Sequence, residues 1–354
     1  MSEQASAHPA GPARQPVASD PYIRDRWYAV ALSRQIQRAL TQTWLLGEPL
    51  VLYRTESNEV IALSDRCPHR HAPLSVGTLQ GDEVQCRYHG FQFDKTGRCT
   101  RIPGETTIPR AIRVQPYPTV EALGFVWAWS GDPNAADTAL LPEFPWTDRP
   151  EFCTYYTSRI FEAPFDLIVD NLMDLTHVHF VHRILGVDNL IHESEPMQVW
   201  ETGNHVLYRR NLQQARHTGT DFYAEIGGEF IPPSLVITRS LPKRRGSDDV
   251  QPGPVTQVLH CLTPRTAEST SYLAVKCWSL ASKPHEIAAV EHQVDVTLDE
   301  DKAIIEAQYR TRRASPVTPE ERLVRADRAA VMARRVYERL LREERTRAGQ
   351  EATA

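Results

Sequence analysis

The sequence predicts an α+β protein in two parts, an all-β N-terminal domain and a following domain that mixes helices and strands. Three observations lead there. The chain has 354 residues, about two domains at roughly 150 residues each. Its first third is a series of short β-branched and aromatic runs separated by polar turns. That series stops at Ser130-Gly131-Asp132-Pro133, a turn-and-break signal, beyond which helical patterns join the strand-like ones.

The elements follow in order. Residues 1–20 are rich in Ala, Pro and Ser, lack the apolar core of a secretion signal, and are expected to form a disordered tail. Trp27-Tyr28-Ala29-Val30 and Leu50-Val51-Leu52-Tyr53 are strands of the first domain, which spans 21–133 and ends with Gly124-Phe125-Val126-Trp127-Ala128-Trp129. The second domain is expected over 134–345, with a short tail at 346–354. Within it, Pro164 opens a helix running from about Phe165 to Val181. Strands follow at His205-Val206-Leu207-Tyr208, Leu235-Val236-Ile237-Thr238 and Tyr272-Leu273-Ala274-Val275, with a polar loop from Lys243 to Pro254. A helix is predicted around Asp299 to Arg313. The last helix starts at Thr318-Pro319-Glu320-Glu321, which reads as a capping box with Pro at the first helical position.

Composition narrows the function classes. There are 40 Lys+Arg against 45 Asp+Glu, and a net charge of −5 argues against a general binder of nucleic acid or anionic membrane. The longest stretch free of charged residues, Val250 to Pro264, is too short and too polar to span a bilayer. The default compartment is therefore the reducing cytoplasm, where cysteines serve as metal ligands or buried thiols. Of six cysteines, only Cys67, Cys86 and Cys99 precede residue 150. A four-cysteine metal site is impossible there, so any such site must recruit histidine.

Histidine is at hand. Cys67-Pro68-His69-Arg70-His71 and Cys86-Arg87-Tyr88-His89-Gly90 each offer one thiolate and one imidazole. Two such loops can give two Cys to one iron and two His to another, the ligation of a Rieske 2Fe–2S cluster. A structural Cys₂His₂ zinc site is the alternative, but zinc knuckles usually pair Cys with Cys and His with His.

A second constellation lies in Asp170-Asn171-Leu172-Met173-Asp174-Leu175-Thr176-His177-Val178-His179-Phe180-Val181-His182. So many polar groups among Leu, Met, Val and Phe are costly to bury without partners. On a continuous helix Asn171, Asp174 and His177 share a face. His177 and His182 are about 140° apart on it, so the helix must end or distort for both to reach one metal.

These residues carry a resemblance. The two loops resemble the Rieske family, and Ala72 and Tyr88 stand where respiratory Rieske proteins have disulfide cysteines, which points to the oxygenase or ferredoxin branch. The Cys-x-His spacing favours His69 as the ligand. The family often has Gly where this chain has His71, which leaves His71 beside the cluster or at the surface. Asp174-x-x-His177-x₄-His182 is similar to the mononuclear iron motif of Rieske oxygenases, in which two His and one carboxylate leave positions open for O₂ and substrate. The resemblance makes His177 and His182 ligands and puts Asn171 near the iron. It has Asp174 bridge to a cluster histidine of the neighbouring subunit, by way of His89. Spacing alone leaves His179 open. Leu298-Asp299-Glu300-Asp301-Lys302-Ala303-Ile304-Ile305-Glu306 resembles the family's C-terminal segment, which makes Asp301 the third ligand. Without that context, an acidic first helical turn would account for all three acids.

The resemblance implies a Rieske domain followed by a helix-grip (START-like) catalytic domain with an antiparallel sheet, assembled as a homotrimer. It implies a Rieske 2Fe–2S cluster and a mononuclear Fe(II) as cofactors. The motifs look most like vanillate- and dicamba-type O-demethylases. They imply O₂-dependent demethylation or hydroxylation of a small aromatic, carboxylated substrate. A phthalate-type cis-dihydroxylating dioxygenase is the alternative. A pure Rieske electron carrier would need only residues 21–133. No Gly-x-Gly-x-x-Gly fingerprint occurs and no plant-type ferredoxin cysteines remain, so electrons come from a separate NAD(P)H-dependent reductase, with or without a ferredoxin.

Weaker signals remain. His260 and Arg239 are polar residues in apolar strands, either satisfied within the fold or facing an anionic substrate. Between Arg310 and Arg347, twelve Arg against six acidic residues form a solvated helix face or a surface that steers an acidic partner.

Overall fold

The computed structural model describes residues 21–182, 184, 197–213, 222–244, 255–279, 284–317 and 320–351. The N-terminal tail, the loop over 245–254, Thr318 and Pro319 lie outside them. The chain divides into two compact units. One takes the residues through Glu143, with Thr263–Ala267 and the chain from Leu341; the other takes Phe144–Leu262 and Glu268–Leu340.

Up to Trp129 the first unit is built of β-strands. Its strands are β1 (Trp27–Leu32), β2 (Thr41–Leu45), β3 (Glu48–Arg54), β4 (Val60–Ser64), β5 (Thr78–Gln80), β6 (Glu83–Gln85), β7 (Gln92–Phe93), β8 (Cys99–Arg101), β9 (Pro116–Tyr117), β10 (Thr119–Ala122) and β11 (Phe125–Trp129). They form three small sheets, β1-β11-β10, β2-β3-β4-β9 and β5-β6-β7-β8, with antiparallel pairing. β1 and β11 are buried at every position, so they show no alternation; both faces are covered, and Trp27 meets Trp129 edge-on at 5.2 Å. The third sheet has strands of two or three residues and matters for its loops.

The second unit is built on one seven-stranded antiparallel sheet. Its strands are β12 (Cys153–Phe161), β13 (Gln198–Thr202), β14 (His205–Gln213), β15 (Phe222–Ile231), β16 (Leu235–Arg244), β17 (Thr256–Thr266) and β18 (Ser269–Trp278), in the order β12-β18-β17-β16-β15-β14-β13. The helices are α1 (Phe165–Met173), α2 (Val178–Val181), α3 (Pro284–Ala314) and α4 (Arg328–Glu351). One core joins sheet and helices: Phe161, Tyr208, Phe230 and Tyr272 pack with Leu167, Ile168 and Met173 of α1, Leu298 and Ile305 of α3, and Ala329, Ala333 and Val336 of α4. An antiparallel sheet closed over helices is the helix-grip arrangement expected. No helix among the described residues is long and apolar enough to cross a membrane.

Three helix expectations change. The single helix over Phe165–Val181 is broken: Asp174 leaves the helical region (φ −130°, ψ 103°), a 3₁₀ turn covers Leu175–His177, and α2 follows. The Asp174 carboxylate stops the helix by accepting from Thr176 N at 2.9 Å, the competition between side chain and backbone that makes Asp a poor interior residue. Asn171, Asp174 and His177 therefore do not share one continuous helical face. The helix predicted from Asp299 starts at Pro284, so Asp299, Glu300 and Asp301 sit at mid-helix, where a first-turn dipole has no bearing on them. Its Val- and His-rich first half has weak intrinsic helicity that packing overrides. The capping box at Thr318–Glu321 does not start the last helix either. Glu320–Val324 have no regular structure, and Asp327 accepts from the Val324 amide at the head of a 3₁₀ turn leading into α4. Glu321 ion-pairs with Arg334 instead, at 2.7 Å.

Candidate functional site

Each unit assembles one of the two constellations. In the first unit, the Cys67 loop follows β4 and the Cys86 loop joins β6 to β7. The loops share one design. Each cysteine amide donates to the carbonyl five residues on (Ala72 at 2.9 Å, Phe91 at 2.8 Å), and each cysteine carbonyl accepts from the amide four residues on (His71 at 2.8 Å, Gly90 at 3.0 Å). That tight turn needs a left-handed residue at the fourth position, and both take it: Gly90 at φ 73° and His71 at φ 58°. His71 thus does a backbone job normally suited to glycine, and its side chain is exposed.

The loops are pinned from below. Buried Asp65 accepts from Ser75 N and Ser75 Oγ, both at 2.6 Å, and from Gln42, clamping the start of the first loop to its end. Gly77 lets the two loops approach, because a Cβ there would lie 2.2 Å from the Gln85 carbonyl.

The result is polarised. Cys67 and Cys86 are each 2% exposed, while His69 and His89 face outward with ring centroids 4.5 Å apart. Burial pushes the Cys67 thiol up to about 11, and the neighbouring Cys86 thiol adds to it. Two buried adjacent thiols with no compensating cation are unfavourable as thiolates unless a metal takes the charge. His69 stacks on Phe91 at 4.8 Å and 7°, and His89 lies against exposed Tyr88. The donor set, two inward sulfurs and two outward imidazoles, fits a 2Fe–2S group with one iron on the Cys side and one on the His side.

In the second unit, His177, His182 and Asp301 offer ligand atoms that lie within 4.8 Å of one another. His177 Nε2 and His182 Nε2 stand 3.4 Å and 3.2 Å from the same oxygen, Asp301 Oδ1. The break at Asp174 and the end of α2 at Val181 turn both imidazoles toward α3. Asn171 Nδ2 donates to Asp301 Oδ1 at 3.2 Å and lies 3.4 Å from His177 Nε2.

The opposite ring nitrogens fix the tautomers. His177 Nδ1–H donates to the Asp174 carbonyl at 2.7 Å, and His182 Nδ1–H donates to Glu300 at 3.1 Å. Both Nε2 lone pairs are thereby aimed at one point. Metal–ligand bonds of about 2.1 Å place neighbouring ligands about 3 Å apart, which matches these separations. Burial raises the Asp301 pKa, but His177 and His182 outweigh it and hold it at about 2; burial lowers the His182 pKa, but Asp301 and Glu300 outweigh that and raise it.

Asp301 occupies a core position of α3, in the series Val294, Leu298, Asp301, Ile305. A carboxylate 9% exposed within such an apolar stripe was the signal for this residue beyond any motif. In the sequence Glu300 is one acid of a helical turn with no spacing to single it out; its hold on His182 shows only in the structure. Asp299 turns the other way, to Arg159 at 2.7 Å. The Asp174 carboxylate is taken by Thr176, while its carbonyl holds His177. The His179 side chain lies outside the described residues.

A cavity of about 300 Å³ opens beside His177, His182 and Asp301. Leu172, Val178, Val258, Ala274, Val294 and Leu298 make most of its wall apolar. His260 is in that wall, but both ring nitrogens are used, by Thr238 Oγ1 at 2.9 Å and Tyr272 OH at 2.5 Å. Burial lowers its pKa to about 3, so the ring is neutral. Arg239 is also at the wall, with a buried Nε that has no hydrogen-bond partner among the described residues. Arg334, at the centre of the Arg-rich segment, is not a free surface charge: it is bound to Asp170 and Glu321.

Comparison with known proteins follows the same division. Residues 26–118 match the Rieske 2Fe–2S domain, and residues 161–343 match the vanillate O-demethylase oxygenase C-terminal domain. The iron-sulfur subunit TsaM1 of the toluene-4-sulfonate monooxygenase system of Comamonas testosteroni is 32% identical, covering 91% of this chain and 98% of that one. The oxygenase component of dicamba O-demethylase from Stenotrophomonas maltophilia is 30% identical over 90% of this chain and 98% of its own. The crystal structure of dicamba monooxygenase bound to dicamba superposes with a TM-score of 0.81 at 28% identity, covering 91% and 98% of the two chains. Another structure of that enzyme, with non-haem iron and dicamba, gives 0.77 at 27% identity over 92% and 99%.

Proposed function

The chain belongs to the Rieske oxygenases whose C-terminal domain is of the vanillate O-demethylase oxygenase type, and from that premise we propose the reaction, the ligands and the assembly. It is the terminal oxygenase of a Rieske system, with a 2Fe–2S cluster and a mononuclear non-haem iron. Our reading is that it carries out O₂-dependent monooxygenation, demethylation or hydroxylation, of a small aromatic acid. The observation that carries this is the apolar cavity, large enough for one or two rings, opening directly on His177, His182 and Asp301.

When bound, the two metal groups supply one-electron transfer and O₂ activation. The chain's own residues do the rest. Cys67, Cys86, His69 and His89 hold the cluster, with the histidines at the surface where a partner can approach. His177 and His182 present neutral Nε2 atoms because the Asp174 carbonyl and Glu300 retain their Nδ1 protons. Asp301 supplies the carboxylate. Asn171 donates to Asp301 and limits its rotation. Leu172, Val178 and Val258 exclude water and hold the ring by apolar contact.

We assign Asp174 the bridge to His89 of a neighbouring subunit within a homotrimer. Electrons come from a separate NAD(P)H-dependent reductase, and the enzyme works in the cytoplasm, where a reducing environment keeps Cys99, Cys153, Cys261 and Cys277 as thiols and leaves Cys67 and Cys86 for the cluster.

The test is reconstitution with a surrogate reductase. Formaldehyde release from a methoxybenzoate supports demethylation, and a diol product favours ring dihydroxylation instead. Iron analysis should give about three Fe per chain and about two in His177→Ala. Two in the unaltered chain, unchanged by that substitution, would mean an electron carrier, and zinc without visible absorption a structural site.

A further inference from the structure

Lys276, like Arg239, is a cation at the cavity wall with no role in the chemistry above. Lys276 is on β18, in the alternation Tyr272, Ala274, Lys276 that faces the cavity. It makes no hydrogen bond or ion pair among the described residues, and burial alone lowers its pKa. Asp295, on the part of α3 facing β12, has its oxygens engaged by Tyr155 at 2.6 Å, Thr157 at 3.0 Å and Arg159 at 3.1 Å. An ammonium half-buried in a mostly apolar wall without a counterion is costly, and proteins keep one where something else brings the charge.

Its place in the cavity is fixed by the strands. Tyr272 bonds His260 and feels the charge of Asp301, so that end of β18 is the metal end. Lys276 is four residues further along, about 13 Å between Cα atoms at roughly 3.3 Å per residue. Its partner across the sheet, Tyr155, reaches Asp295, about 9 Å before Asp301 along the α3 axis at about 1.5 Å per residue. The wall is mostly apolar, with Leu172, Val258, Ala274 and Leu298 beside polar Thr157 and Thr297, and leaves room for a ring.

Resting on the proposed aromatic oxygenase reading, we propose that Lys276 holds an acidic group of the substrate, carboxylate or sulfonate, at the end of the cavity away from His177, His182 and Asp301. The acid and the reacting carbon therefore lie at opposite ends of the ring, as in a para-substituted acid rather than an ortho one. His260, neutral and already bonded on both nitrogens, orients the wall and does not balance the acid's charge.

The experiment measures binding to the iron-loaded, full-length protein by calorimetry, alongside turnover with a surrogate reductase. The probes are para-methoxybenzoate, ortho-methoxybenzoate and para-methoxybenzamide. The unaltered protein should bind the para acid more tightly than the amide and than the ortho acid. Lys276→Met should weaken the para acid by about 30-fold or more, as expected for losing one partner of a buried charge pair, and leave the amide within about threefold. Lys276→Gln repeats the test should Met disturb β18, with an unchanged cluster spectrum as the folding control. Equal affinity of the unaltered protein for acid and amide overturns the assignment, as does a loss in the variants that is the same for both. Oxidation of the amide without any acid preference would sink the Lys276 site and leave the oxygenase reading standing. Lys276-dependent acid binding without oxidation of any probe would do the reverse.

Discussion

Glu300 gives the sharpest test of how the proposed iron ligands are held. Replacing it with Ala removes the acceptor 3.1 Å from His182 Nδ1 and touches neither Asp301 nor His177. His182 is 2% exposed at its side chain, so no bulk water readily replaces that acceptor. The ring can then carry its proton on either nitrogen, and the tautomer with Nε2–H cannot bind metal. Losing such an outer partner typically costs 10- to 100-fold in metal affinity, about 1.4–2.7 kcal/mol. Glu300→Gln keeps an acceptor without the charge and should fall at the lower end. The assay is Fe(II) competition against a chelator, with the visible spectrum of the 2Fe–2S cluster as internal control and Asp299→Asn, which loses only an Arg159 contact, as the matched helix substitution. Unchanged Fe(II) affinity in Glu300→Ala, or an equal loss in Asp299→Asn, would refute the argument.

Further outcomes follow from the same geometry. His71→Gly should leave the cluster spectrum intact and stabilise the first unit by about 1 kcal/mol, because φ 58° is strained for any residue with a Cβ; thermal melts and absorption check it, and a bleached spectrum would make His71 a ligand. His69→Ala should abolish that spectrum. Asp170→Ala leaves Arg334 without its α1 partner and should cost the second unit about 2 kcal/mol, seen in denaturant melts followed by α-helical signal. Arg54 holds the Glu121 carboxyl below its ordinary value of 4.5. A depressed folded pKa adds stability above the unfolded pKa and loses it as pH falls through the folded one. Glu121→Gln should therefore flatten acid unfolding below about pH 4.5, with a change of about 1 kcal/mol or less at neutral pH because the pair is partly solvated.

What could be read in the chain divides along physical lines. Knuckle spacing is local, since the five-residue turns of Cys67 and Cys86 are set by hydrogen bonds inside each loop. The fully buried strands β1 and β11 were legible as dense apolar and aromatic runs. The break at Asp174 was foreseen only as a requirement, and its position depended on one carboxylate choosing Thr176 N over the helix. The true start of α3 was illegible because tertiary packing supplies what its first half lacks in propensity. Glu300 and Lys276 escaped notice for a related reason: each matters through a partner or a cavity brought together by the sheet, and neither has a spacing to announce it.

The three successive acids of α3 point three ways, Asp299 to β12, Glu300 to His182 and Asp301 to the ligand cluster. Four residues earlier, Asp295 is keyed to the same strand through Tyr155, Thr157 and Arg159. The helix is thus indexed against β12 like a shaft against a ratchet. Slipping it by one residue would move Asp301 about 1.5 Å along the axis and turn it about 100°. Length changes between residues 295 and 301 are therefore forbidden in a way that those before Val294 are not, and the stretch from 295 to 301 sets the bite of the metal site as a unit.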